Sequence, residues 1–383
     1  MSEPRRPVSS YTLEQMGAWI ELFYDLVFVA VILVFSSAVS HLHDADRIAW
    51  VVAVFCVVWW IWLSTTMFTN RFRTTDFTHR VLVLLQMILV ALVAMETRAG
   101  VSDDEVLLVC SYAALVASVA VMYWRASRAG GPHAWFARHQ AGIHLLAAAC
   151  FLVAAALPEA GRIVAVAVGM AVMIGPAVAR STHLRDYPPI DREHISERMS
   201  AFTLIVCGEA FVKVAIAVSS NTVDGVDVVA LAFEFILTFA LWAAYFEDIP
   251  SAGIDLRRFA SWIGFHLVMQ IGIAGTAIGS SKLVALDFFD HLPDQDVLEI
   301  MATLAVVYVG LAGIGVSTLR RPRRPLFLLR LGTAGLVALV GIVASQLPSF
   351  DLVEGVAALT VVALAHAYFV ARLRSETEVL APT

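Results

Sequence analysis

Glu209 and Lys213 stand four residues apart in the run "ERMSAFTLIVCGEAFVKVAIAV", with apolar residues on both sides. On a helix they share a face, and glutamate ahead of lysine is the favourable order for an intrahelical ion pair. A buried pair seldom recovers its desolvation cost against an apolar replacement. Two readings follow: a self-neutralising clasp, or a site that exchanges an ion or a proton. Glu234, on the next apolar segment, is expected at a matching depth, so that two carboxylates flank one ammonium. A second acidic pair, Glu21 and Asp25, opens "WIELFYDLVFVAVILVFSSAV" at the same spacing. Glu21 is accounted for by the favourable placement of an acid in a first helical turn. Asp25, a turn deeper, needs a hydrogen-bonding or basic partner from another helix. His266 and Gln270 form a further i, i+4 pair, and Gln86 occupies a comparable place in the first half of the chain. His144 and His366 are single histidines in apolar runs, read more simply as packing residues.

The segments that must position these groups are long and apolar. Hydrophobic residues make up 60% of the 383 positions and charged ones 15%, with a mean hydropathy of +0.79. Soluble domains average about 45–50% apolar and about 25% charged, so this is the composition of a polytopic membrane protein. A crossing of roughly 30 Å needs about 20 apolar residues. Twelve runs qualify, at roughly 19–40, 48–68, 79–97, 106–124, 140–157, 162–180, 199–218, 228–246, 260–282, 297–318, 326–346 and 352–371. The expected fold is an all-α membrane helical bundle of about 12 transmembrane helices. The first run follows a basic leader and is too long for a cleaved signal.

Sorting the basic residues by loop supports this count. With the amino end inside, 21 arginines fall on the inner side. Arg47, Arg98, Arg162 and Lys282 fall on the outer side, and Lys213 lies within a helix. This is the positive-inside asymmetry. It places both ends in the cytoplasm and the protein in a bacterial inner membrane. "RRPRRP" at 320–325 suits anionic headgroups, whereas "HLHDAD" and "DFFDHLPDQD" read as solvated outer loops in preference to metal sites. The four cysteines lie in apolar runs without metal spacing. "YFEDI" at 245–249 brings Glu247 and Asp248 to the inner surface, as solvated groups or as partners for Arg71, Arg257 or Arg258.

The longest connection, "RSTHLRDYPPIDREHISER", divides the chain into a first half, 1–190, and a second, 191–383, each of six helices. Sliding one on the other by about 180 residues aligns Gln86 with His266 and brings Glu21 near Glu197. Six is even, so the halves would be parallel repeats, an arrangement of transporters that bind near mid-membrane. Chance likeness among apolar helices is the other explanation. "GTAIG" at 275–279 and the cluster Gly310, Gly313 and Gly315 mark close helix approach. Pro176 is expected to kink its helix.

"WIELFYDLVFVAVI", "ERMSAFTLIVCGEAFVKV" and "WAAYFED", with the histidine of the following helix, resemble the bacterial low temperature requirement A family from the first helix to the last. The family-like positions are Glu21, Phe23, Asp25, Phe28, Glu197, Arg198, Gly208, Glu209, Tyr245 and His266. Lys213 departs from that pattern. The resemblance implies an integral membrane protein linked by name to growth in the cold, and brings no established substrate.

Three functions compete. The first is a transporter or conducting pathway for an ion or small solute, proton-coupled through buried acids. Its site would draw on Glu21, Asp25, Gln86, Glu209, Lys213, Glu234, His266 and Gln270, with Asp25, Glu209 and His266 along one pathway. The second is a membrane stress or cold-adaptation protein without transport. The third is a membrane-embedded enzyme, for which HExxH, GxSxG and paired-histidine motifs are all missing; Asp25 with His144 would be its best cluster. The expectation is no enzyme, no catalytic residue, no cofactor and no metal. The expected partners are membrane lipids and an unnamed ion or solute, with no nucleic acid.

Overall fold

The computed structural model describes residues 8–39, 45–74, 76–98, 105–179, 188–219, 225–246, 249, 253–282, 294–318, 324–346 and 352–378. Twelve α-helices lie among them. They are α1 (Val8–Val39), α2 (Ala45–Phe72), α3 (Phe77–Arg98), α4 (Glu105–Arg128), α5 (Ala134–Ala155) and α6 (Glu159–Ala179). The second set is α7 (Arg192–Ser219), α8 (Gly225–Phe246), α9 (Phe259–Lys282), α10 (Asp294–Val316), α11 (Arg324–Ala344) and α12 (Leu352–Glu378). Each expected span falls on one of them, so the fold is an all-α polytopic bundle. Nine are long and apolar enough to cross a membrane. Shorter apolar stretches occur in α8, at Leu231–Phe246, and in α12, at Ala358–Leu373.

The helices exceed their apolar cores because lipid supplies no hydrogen-bond partners, so the backbone must satisfy itself through the full crossing. α5 starts at Ala134, ahead of the expected 140, and α7 starts at Arg192, ahead of 199. α7 is extended by a polar first turn, Arg192–Ile195, and α5 by an aromatic one, Ala134–Ala137. Pro176 stands inside the last turn of α6.

The chain divides into two compact units: 1–38 with 53–195, and 39–52 with 196–383. In the first, α3 packs on α4, α4 on α5 and α5 on α6. In the second, α9 packs on α10, α10 on α11 and α11 on α12, while α12 also meets α8. Within α3–α6 and within α9–α12, helices adjacent in sequence are adjacent in space, as short connections favour.

Glycine brings α9 and α10 together. A Cβ on Gly272 would stand 2.8 Å from the Val307 backbone nitrogen, and one on Gly310 would stand 2.8 Å from the Met269 Cα. Gly275 and Gly279 face Thr303 and Ile300, and Gly313 faces the Phe265 ring. Small residues allow this backbone approach, which in lipid replaces the hydrophobic drive to associate.

The connection between the halves lies largely outside the described residues, as do Glu247, Asp248, Arg320–Arg323 and most of the two acidic outer loops.

Candidate functional site

In the first unit, Asp25 is fully buried and one carboxylate oxygen accepts from the Trp62 indole Nε1 at 2.7 Å. The partner expected from another helix is therefore an indole on α2. Gln86 is also fully buried. Its Oε1 accepts from Thr65 at 3.0 Å and its Nε2 donates to Ser118 at 2.8 Å, so the amide ties α3 to α2 and α4.

Glu21 meets His194 Nε2 at 2.9 Å. Asn70 fixes the orientation of this imidazole. Its Oδ1 accepts from the Asp191 backbone N–H at 3.1 Å and its Nδ2 donates to the Asp191 carbonyl at 2.8 Å. The same Nδ2 lies 3.1 Å from His194 Nδ1. With the amide set by the backbone, Nδ1 is the acceptor and Nε2 carries the proton toward Glu21. Arg73, at φ 37° just past α2, pairs with the Asp191 carboxylate. The His194 backbone N–H and this guanidinium hold the Asp191 carboxyl below its ordinary range. At the start of α3, Arg125 and the His79 N–H do the same for Asp76. Among the described residues His144 has no charged partner: its Nδ1 faces the Gln140 carbonyl at 2.8 Å, and its ring stacks on Tyr123. That is the packing role, and the Asp25–His144 pairing of the enzyme reading receives no support from these contacts.

In the second unit, His266 lies fully buried between α8 and α9. Its Nδ1 is 2.7 Å from the Trp262 carbonyl, which can only accept, so Nδ1 carries the proton. Nε2 then accepts from the Tyr245 hydroxyl at 3.1 Å. Ser200 is 3.4 Å from that hydroxyl, while Thr203 gives its own proton to the Met199 carbonyl at 2.8 Å. Gln270 Nε2 donates to Thr203 at 3.1 Å. His266 is thus tied to α8 through Tyr245, and Gln270 to α7 through Thr203.

Glu209 is fully buried on α7, with Lys213 one turn on and within its electrostatic reach. The second carboxylate that Lys213 feels is Glu299 of α10, and the other ammonium close by is Lys282. Lys282 Nζ is held by Asp296 at 2.8 Å and Glu299 at 2.5 Å. This corrects the expectation that Glu234 completes the triad. Lys213 is set against α10, whose Glu299 takes the place expected for Glu234. Glu234 Oε1 instead accepts from Thr238 at 3.1 Å.

Spacing alone does not reveal Trp62, Asn70, His194, Thr203, Ser280 or Glu299, since each acts across helices. Arg330 is the largest surprise. Sorted by loop as an inner-surface base, it is instead buried in α11. Its guanidinium donates to the Leu311 carbonyl at 3.0 Å and the Ala244 carbonyl at 3.2 Å. The second of these lies in the last turn of α8, where carbonyls lack helical partners.

Among the described residues, no group of three His, Cys, Asp or Glu side chains is arranged to hold a metal.

A family model described as bacterial low temperature requirement A protein matches residues 18–366. An uncharacterized protein of Rhizobium meliloti (strain 1021) is 27% identical over 290 residues, covering 72% of this chain and 71% of that relative.

Proposed function

The chain belongs to the bacterial low temperature requirement A family, and from that premise we propose that this multi-pass membrane protein carries or conducts an ion or small solute, coupled to protons through buried acids of the second unit. One observation supports this above the rest: Glu209 is fully buried on α7, with an ammonium one turn away and a further acid–base pair beside it. Ionisable groups at such depth are costly and mark pathways more often than scaffolds. The roles run as follows. Glu209 and Lys213 exchange a proton or ion, and Lys282 with Asp296 and Glu299 sets the local charge. The Tyr245–His266 and Thr203–Gln270 pairs supply polar contacts on the same unit. In the first unit Glu21, Asp25 and Gln86 serve an equivalent polar lining.

The same-orientation repeat is consistent with the chain-order packing of α3–α6 and of α9–α12. The basic-residue asymmetry favours an inner membrane with both ends in the cytoplasm. Lipids are the expected partners, and no catalytic step is assigned.

A second reading, a stress or cold-adaptation protein without transport, draws on the completeness of the Gln86 bonding. Glu209→Gln, reconstituted in proteoliposomes, separates the two. Loss of pH-dependent uptake or current with an unchanged elution profile supports the carrier. Flux equal to the parent protein removes Glu209 from the mechanism, and absence of flux in the parent across ions and small solutes leaves the second reading.

A further inference from the structure

Glu234 is one of the most enclosed carboxylates in the chain, with 1% of its surface exposed. Its Oε1 accepts from Thr238 Oγ1 at 3.1 Å, one turn along α8. Ser280 of α9 lies within electrostatic reach of the same carboxylate. Its Oε2 is buried and has no partner among the described residues. Cys207 of α7 lies nearby. Among the described residues, the groups set against Glu234 are thus two hydroxyls and a thiol, none of them positive.

We propose that Glu234, Thr238 and Ser280 form a binding site for a sodium ion. Three oxygens converge from two neighbouring helices, one of them anionic and with a spare oxygen. Hard cations take such oxygens. Coupling-ion sites of membrane carriers lie within the membrane, and Glu234 stands in the apolar stretch of α8, Leu231–Phe246. The hydroxyls can turn to suit the ion. Ser280 Oγ lies 3.3 Å from the Ala277 carbonyl, so its proton has another acceptor when its lone pairs face a cation. Thr238 can likewise turn its proton to a backbone carbonyl of the preceding turn, as threonines in membrane helices do. The ion supplies the positive charge that an ionised, buried carboxylate requires. The site is separate from the Glu209–Lys213 pair, where a lysine already fills the cationic place. It deepens the carrier reading by naming a coupling ion, and for that purpose rests on it, but binding itself does not require transport.

The experiment is thermal unfolding of the purified full chain in detergent, in sodium, potassium or choline chloride at equal ionic strength. Sodium at roughly tenfold above its Kd is expected to raise Tm saturably by about 2–4 °C over choline. Glu234→Gln and, separately, Ser280→Ala are expected to weaken the sodium response about tenfold or more. Ser280→Ala keeps the carboxylate and guards against a fold defect in the first variant. Equal Tm in sodium and choline overturns the proposal. So does a response to potassium as large as to sodium, or a sodium response unchanged in both variants. The readout needs no gradient. Sodium binding without flux in liposomes would sink the carrier reading and keep the site, whereas flux without sodium binding would do the reverse.

Discussion

The Tyr245 hydroxyl and the His266 Nε2 meet at 3.1 Å between α8 and α9, with the donor on the tyrosine. The direction is fixed by the far side of the ring, where Nδ1 gives its proton to the Trp262 carbonyl at 2.7 Å. Tyr245→Phe removes the donor and leaves a buried ring nitrogen without one. An orphaned buried acceptor costs about 1–3 kcal/mol, so the variant should unfold earlier by that amount. Thermal unfolding in detergent measures it. A Tm equal to the parent would mean that the hydroxyl faces Ser200 or Thr203 and that His266 is satisfied otherwise.

Asp25 and Trp62 make the corresponding bond in the first unit, between α1 and α2. An indole donating to a carboxylate is charge-assisted and about twice as strong as a neutral bond. Trp62→Phe keeps most of the ring volume and removes the N–H, with an expected loss of about 1.5–3 kcal/mol. Paired with Asp25→Asn in a double-mutant cycle, it should give a coupling of at least about 1 kcal/mol. Additive single effects would show that the contact carries no energy.

The helices were legible because a membrane crossing imposes a length on an apolar run, and each such run became an α-helix. Partners across helices were not. Hydropathy fixes how deep Lys213 lies but not that Glu299, 86 positions on, is the acid beside it. The error over Glu234 has the same origin: matching depth on two helices does not say which side chains face each other, and the second acid beside Lys213 comes from α10. Arg330 was missed because counting bases by loop assigns a side to every arginine near a helix end. It has no way to register one whose long side chain turns inward to two carbonyls. The intrahelical pairs Glu209–Lys213 and His266–Gln270 were legible, since 3.6-residue periodicity alone sets them on common faces.

Arg330→Gln tests that inward turn. The variant keeps two donors but loses the fork that spans α10 and α8. A loss of about 2–4 kcal/mol is expected, in line with other broken buried polar contacts. Arg324→Gln, at the start of the same helix, should stay within about 0.5 kcal/mol. Similar small changes in both would return Arg330 to the surface role that loop counting gave it.

The pairs Arg73–Asp191 and Arg125–Asp76 make stability depend on pH. Both carboxyls titrate below their unfolded value. The unfolded chain therefore takes up protons first as pH falls. The contribution is complete above the unfolded carboxylate pKa, near 4, and is lost as pH drops through the lower folded value. Both groups are partly exposed, which limits each pair to less than about 1 kcal/mol. Tm of the parent protein should fall below about pH 4, and Asp76→Asn with Asp191→Asn should flatten that decline. A decline of identical steepness in the double variant would place the acid sensitivity elsewhere.

Gly272 and Gly310 carry the last prediction. Each faces backbone atoms of the opposite helix, which cannot rotate away as a side-chain tip can. A methyl at either position must therefore push α9 and α10 apart along the seam that also holds Thr276 and Thr303, whose hydroxyls lie 3.3 Å apart. Overpacking of this kind costs about 1–3 kcal/mol, and loss of contacts along the seam adds to it. Gly264 lies on the same helix as Gly272 with open space where its Cβ would be. Gly264→Ala should thus leave stability within about 0.5 kcal/mol of the parent or raise it slightly. Comparing Gly272→Ala, Gly310→Ala and Gly264→Ala by thermal unfolding separates close approach from helix propensity. If all three shift Tm alike, the seam is not held by backbone contact and the glycines serve propensity alone.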